Sequence, residues 1–126
     1  MALKAALLGI DHTKGRLIAF GTITPSGNYG TSGGALPHGD TLDLSQLGVA
    51  SNTVPIKVTC WSQVPVGAAP LQDVYTYLHG TTQANGVLQI AVAGAEFTPG
   101  NPYSGASPTN VTGYALYFYA DFVPFQ

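Results

Sequence analysis

The sequence predicts an all-β domain built as a sandwich or a barrel. Two observations support this prediction. About six segments alternate with the two-residue period of β-strands, and turns rich in glycine and proline separate them. The chain offers no long helix, only one short helical segment. Its 126 residues are enough for one domain with a hydrophobic core, and we expect residues 1–126 to form a single β-sandwich domain.

Charged residues are scarce, at 8% of the chain against about 25% in ordinary globular domains. Because free proteins use surface charge to stay in solution, this scarcity favours a surface that packs against other protein chains. A small β-domain kept in solution by neutral polar side chains is the alternative interpretation. The net charge of −2 and the lack of a basic stripe argue against a nucleic-acid partner. No run of about 20 apolar residues predicts a membrane span.

The first two strands form a predicted hairpin. Residues 3–10 and 16–24 are rich in apolar and β-branched residues, and a polar turn over 11–15 joins them. Pro25 ends the second strand, because its nitrogen carries no hydrogen for the ladder.

Segment 40–48 carries the signals of one short helical turn. Asp40 is placed to accept hydrogen bonds from the free N–H groups of the first turn, and Asp43 adds negative charge at the positive end. Gly48 can adopt the left-handed conformation that stops a helix. The leucines between them give the turn an apolar side to bury.

Segment 54–62 alternates cleanly, which predicts a strand with Val54, Ile56, Val58 and Cys60 on the core face and Trp61 on the opposite face or at a rim. Segment 72–79 also alternates. We expect its core face to carry Val74, Thr76 and Leu78, and its outer face to carry Tyr75, Tyr77 and His79.

The last two predicted strands cover 87–93 and 112–123. An Asn-Gly turn precedes the first of them, whose core face carries Leu88 and Ile90. The second is apolar on both faces, which is typical of a strand in the middle of a sheet.

Four short segments of the chain resemble tailed-bacteriophage head decoration, or cement, proteins. They are the strand end 21–24, the aromatic Gly-rich loop 26–29, the glycine pair 33–34 and the turn 42–48 that ends in Leu-Gly. The pattern covers residues 20–48, and the order of strands is similar over most of the chain.

This resemblance implies a jelly-roll-like β-sandwich that acts as a non-enzymatic structural virion protein. Such a protein, usually a homotrimer, decorates the capsid shell and stabilises it by bridging subunits of the major capsid protein. It would be made in the host cytoplasm and would reside on the capsid surface of the virion. The resemblance implies neither cofactor nor metal.

Aromatic side chains are the candidates for the subunit or capsid interface, since tyrosine and tryptophan are enriched at interfaces. The candidates are Tyr29, Trp61, Tyr75, Tyr77, Tyr117 and Tyr119. Tyr29 is the expected anchor of a specific contact made by loop 26–37. Two alternatives remain open for the strand aromatics: the second half of an ordinary sandwich core, and a platform for stacking sugars.

Two other functions remain open as well. Loop 98–110 is too long and too rich in proline and glycine for regular structure, and loops of this kind are often functional. With Tyr103 exposed, it could make the protein a carbohydrate- or host-binding module on the virion surface. The third possibility is a structural protein of the tail or the head–tail connector.

The sequence gives little evidence for an enzyme. No Gly-x-Ser-x-Gly nucleophile motif occurs. Cys60 falls on a predicted core face, which favours a buried apolar group over a nucleophile. The carboxylates that a glycosidase would need, among Asp73, Glu96 and Asp121, are scattered. Helix capping explains the aspartates of segment 40–48 better than metal binding does.

Overall fold

The computed structural model describes residues 3–13, 15–30, 39–49, 54–63, 73–92, 95–96 and 115–122. These residues form eight strands and one 3-10 turn. The strands are β1 (Leu3–Thr13), β2 (Arg16–Pro25), β3 (Asp40–Leu42), β4 (Lys57–Gln63), β5 (Asp73–Leu78), β6 (Gly86–Val92), β7 (Ala95–Glu96) and β8 (Ala115–Phe122). The predicted all-β class is therefore confirmed. The described ranges contain no long apolar helix of the kind that spans a bilayer.

Two antiparallel sheets make up the fold, as in a β-sandwich. The first has the order β1-β2-β8-β4, and the second has the order β3-β6-β5 with β7 beside β6. Between β2 and β5 the chain alternates from one sheet to the other, and it returns to the first sheet for β8. Two antiparallel sheets joined by such crossings form a β-sandwich. Strand β8 lies between β2 and β4, as its two apolar faces predict.

The hydrophobic core lies between the sheets. Fully buried residues come from both of them: Leu17, Ala19, Ile23, Leu116, Phe118, Ala120 and Phe122 from the first sheet, and Leu42, Leu88 and Ile90 from the second. The predicted core positions Val58, Cys60, Leu88 and Ile90 are thereby confirmed, since Val58 and Cys60 also pack against this cluster. The prediction for Ile56 is wrong: its side chain is 66% exposed, because the residue precedes β4 and does not share the alternation of that strand.

The predicted orientation of β5 is wrong. Tyr75 and Tyr77 are half-buried and pack against the core, whereas Val74 is 60% exposed on the opposite face. Both faces of this strand carry large side chains, so the alternation alone does not say which one is covered. In the folded protein the rest of the sandwich packs against the face that carries Tyr75 and Tyr77, so these two rings are the covered ones.

The predicted helical turn over 40–48 is also corrected. Asp40 is fully buried in strand β3, where it pairs with Leu88 of β6, and it does not cap a helix. The turn is a single 3-10 turn, Ser45–Leu47. Asp43 supports its start, because its Oδ1 accepts hydrogen bonds from both the backbone N–H and the hydroxyl of Ser45. Gly48 ends it with a left-handed φ of 68°, as predicted.

Gly21 has a packing role in the hairpin. The β1–β2 register shifts by a β-bulge between Leu7 and Gly9. At this point the two backbones approach closely, and a Cβ atom on Gly21 would lie 1.9 Å from the carbonyl oxygen of Ala6. Only glycine fits there, which gives a physical reason for the glycine in segment 21–24.

Candidate functional site

The outer face of the first sheet, β1-β2-β8-β4, carries an open groove of about 510 Å³. All four strands contribute to it. We name it the outer-face groove and define it by its lining residues, which are Asp11, Arg16, Ile18, Phe20, Lys57, Trp61, Tyr119 and Asp121. Its volume falls in the range of about 300–1,000 Å³ that is typical of small-molecule sites.

Strand register brings these residues together. Side chains that face each other across neighbouring strands lie on the same side of a sheet. Strand β8 pairs Asp121 with Ile18 of β2 and with Lys57 of β4. The same strand pairs Tyr119 with Phe20. The floor of the groove is therefore a continuous strip across β2, β8 and β4.

Asp121 is the chemical centre of the groove. The residue is only 3% exposed, although it lies on the outer face of the sheet. One carboxylate oxygen, Oδ2, accepts a hydrogen bond from the guanidinium of Arg16 in an ion pair. The other oxygen, Oδ1, is buried and has no hydrogen-bond partner among the described residues. The carboxylate at the floor of the groove therefore has one buried oxygen without a hydrogen bond among the described residues.

Three aromatic rings support one side of the groove. The ring of Trp61 stacks on Tyr117 with 6.0 Å between centroids and an interplanar angle of 22°. It also meets Tyr119 at 5.8 Å and a tilt of 56°. Such contacts hold an aromatic side chain in one orientation. Trp61 nevertheless remains 41% exposed, so part of its ring is open to a partner.

Three of the six predicted interface residues thus lie together, namely Trp61, Tyr117 and Tyr119. Their role in an interface remains a prediction. Tyr75 and Tyr77 face the core of the sandwich instead.

Tyr29 is not a surface anchor. Its side chain is fully buried, and its hydroxyl oxygen accepts a hydrogen bond from the backbone N–H of Ile90 at 3.2 Å. This corrects the expectation that Tyr29 makes an external contact from loop 26–37, of which residues 31–37 lie outside the described residues. Tyr103 and loop 98–110 also lie outside the described residues.

Sequence reasoning missed most of the groove lining. The missed residues include Arg16, Ile18 and Phe20 of β2, Asp11 of β1 and Lys57 of β4. One signal was present in the sequence. Asp121 interrupts the most apolar strand of the chain, on the same face as Tyr117 and Tyr119. A lone carboxylate in such a strand indicates a specific partner, because burial of an unpaired charge is costly.

Strand β1 presents a second exposed surface. Among the described strands it is an edge of the first sheet, with β2 as its neighbour. Its apolar side chains Leu7, Leu8 and Ile10 are 38%, 64% and 38% exposed. A long edge strand with exposed apolar side chains is a site where other chains associate.

Cys60 behaves as a packed apolar group. Burial raises the pKa of its thiol to about 12, so the thiol stays protonated at neutral pH. The described residues contain no group of three or more metal-ligating side chains.

The chain was compared with models of known protein families, with curated proteins and with solved structures. No match was found. The resemblance to phage decoration proteins therefore remains a prediction from the sequence.

Proposed function

We propose that this chain is a non-enzymatic structural protein of a virion, which decorates a capsid shell and stabilises it by bridging subunits of the major capsid protein. In this proposal it is made in the host cytoplasm, acts as a homotrimer and resides on the capsid surface. The observation that carries the proposal is the exposed apolar edge of strand β1.

The β1 edge suits attachment to another protein chain in two ways. An edge strand offers backbone N–H and C=O groups to an added strand. Its exposed side chains Leu7, Leu8 and Ile10 offer apolar area. Burial of a fully exposed leucine contributes about 1.5–3 kcal/mol. These side chains are 38–64% exposed, so each contributes a corresponding fraction of that energy, and a shell repeats the contact many times.

The charge content supports the same proposal. Only 8% of the residues are charged, and a protein that is packed in an assembly needs less surface charge than a free one. The stabilising mechanism is mass action. A protein that binds the assembled shell but not the separated coat subunits shifts the equilibrium toward the shell.

Copy number per particle tests the proposal. Particles that carry this chain are purified, and its amount relative to the major coat protein is measured by quantitative mass spectrometry. We expect a ratio of one per coat subunit or a simple fraction of it. A few copies per particle would assign the chain to the tail or the connector instead, and absence from particles would overturn the virion proposal.

A charged residue introduced on the β1 edge tests whether this edge is the surface that contacts the shell. We expect Leu8→Glu to reduce loading onto shells, because Leu8 is 64% exposed on that edge and a carboxylate there resists burial. Val74→Glu is the matched control, since Val74 is 60% exposed but lies on β5 of the other sheet. Equal loading of the two folded variants would show that β1 is not the contact surface.

A further inference from the structure

We propose that the outer-face groove binds a neutral carbohydrate, with Asp121 as hydrogen-bond acceptor and Trp61 and Phe20 as stacking walls. This binding activity goes beyond shell attachment through β1 and does not depend on it. The proposal follows from the buried carboxylate, the exposed rings and the balance of charge in the groove.

The free oxygen of Asp121 points to a ligand that donates hydrogen bonds. Oδ2 is engaged by Arg16, whereas Oδ1 is buried and has no partner among the described residues. Buried acceptors are nearly always hydrogen-bonded in folded proteins. A ligand hydroxyl that enters the groove and reaches Oδ1, once the side chains that cover this oxygen move aside, would supply the donor that Oδ1 lacks.

The aromatic walls point to a ligand with a flat apolar face. Phe20 and Trp61 are each 41% exposed, and both line the groove with Tyr119. The face of an aromatic ring carries negative charge density, which attracts the weakly positive C–H groups on one face of a sugar ring. The stacking of Trp61 on Tyr117 holds the Trp61 ring in place for this contact.

The charges of the groove favour a neutral ligand. Arg16 and Lys57 are matched by Asp11 and Asp121, so the lining residues that the structure describes carry no net charge to select an anion or a cation. A sugar hydroxyl both donates and accepts, and therefore suits a site where donors and acceptors stand side by side. Apolar walls with a few placed polar groups are the usual composition of small-molecule sites.

The single tryptophan of the chain provides a direct measurement, since Trp61 lies in the groove. The full-length protein is applied to an array of neutral glycans, and every glycan retained is titrated while tryptophan fluorescence is followed. If the array retains none, the neutral mono- and disaccharides of glucose, galactose, mannose and N-acetylglucosamine are titrated directly. We expect a saturable fluorescence change with at least one neutral sugar. The absence of any fluorescence change with every sugar tested would overturn the proposal.

Two variants that retain Trp61, and with it the fluorescence signal, test whether the sugar binds in the groove. Asp121→Asn and Phe20→Ala should each weaken the affinity by about tenfold or more. Val74→Ala, on the opposite sheet, should leave the affinity unchanged. Unaltered affinity in both groove variants would show that the sugar does not bind in the outer-face groove. If Asp121→Asn does not fold, the affinity of Phe20→Ala alone provides the test.

A protein chain is the competing occupant of the groove. If no sugar binds and the folded variant Trp61→Ala loses shell loading, the groove is a protein interface and the carbohydrate proposal is wrong. If a sugar binds while shell loading is absent, the carbohydrate proposal stands and the decoration proposal fails. The two proposals therefore fail separately.

Discussion

The hydroxyl oxygen of Tyr29 accepts a hydrogen bond from the backbone N–H of Ile90 at 3.2 Å, across 61 positions of sequence. Tyr29 follows strand β2 of the first sheet, and Ile90 lies in β6, between β3 and β5 in the order of the second sheet. The bond therefore ties the two sheets together inside the core, where water does not compete for either group.

Loss of this bond should destabilise the fold. We expect Tyr29→Phe to lower the free energy of unfolding by about 1–3 kcal/mol, because the buried N–H of Ile90 loses its partner. Tyr29→Ala should cost about 3–5 kcal/mol, because it also leaves a cavity. Urea denaturation measures both. Tyr119→Phe, at a half-buried residue on the outer face of the first sheet, serves as the control, and a Tyr29→Phe variant as stable as this control would contradict the role of the bond.

Gly21 should tolerate no side chain. An alanine Cβ would meet the backbone oxygen of Ala6 at 1.9 Å, and backbone cannot move aside as a side chain can. We expect Gly21→Ala to cost about 3 kcal/mol or more in thermal or urea denaturation. Gly9→Ala is the comparison, because its Cβ would meet only the end of the Phe20 ring, at 2.5 Å. A smaller loss for Gly21→Ala than for Gly9→Ala would refute this reading of the bulge.

Tyr77→Phe should leave stability unchanged or raise it. The Tyr77 hydroxyl is buried without a hydrogen-bond partner among the described residues, and this burial raises the pKa of Tyr77 above its usual value. Removal of such a group relieves a desolvation cost of about 1 kcal/mol. Tyr77→Leu should be destabilising, because the ring itself packs against the core. A clear loss of stability in Tyr77→Phe, measured by urea denaturation, would show that the hydroxyl has a partner.

Alkaline pH should weaken the fold through Cys60. Burial raises the thiol pKa from its ordinary 9.0 to about 12, so between these values the unfolded chain loses a proton that the folded chain keeps. Stability should be unaffected by this group below pH 9 and should fall as pH rises above it, by up to about 1.4 kcal/mol per pH unit.

The variant Cys60→Ala isolates this effect, since the tyrosines titrate in both proteins. Urea denaturation of both proteins at several pH values from 7.5 to about 11 should show a shallower decline for the variant. Parallel curves would mean that the Cys60 thiol ionises equally well in the folded state.

Most of the fold followed from alternation in the sequence, because one buried face leaves a clear period of two. The central position of β8 was predictable, since both of its faces are apolar. The orientation of β5 was not, because Tyr75 and Val74 are both large and apolar enough to be buried. Asp40 was misread for a related reason: an aspartate before leucines suits a helix cap and a short strand alike.

Two of the eight described residues that line the outer-face groove, Trp61 and Tyr119, were predictable in the same way. Trp61, Tyr117 and Tyr119 share the non-core faces of two strands, and alternation identifies those faces. The ion pair between Arg16 and Asp121 joins positions 105 residues apart, and it depends on the register of β2 against β8. Nothing local in the sequence specifies that register, so Arg16 and Phe20 could not be placed beside the aromatics.

The position of β8 has a consequence for synthesis of the chain. The β1–β2 hairpin emerges early and can close by itself, but β4 has no neighbour in its sheet until β8 has been made. During that interval the inner faces of β2 and β4 and their open edges are available to wrong partners, and pairings of such long range form slowly. The yield of folded protein in a cell that makes this chain should therefore respond to translation speed and temperature more than the equilibrium stability of the finished protein would suggest.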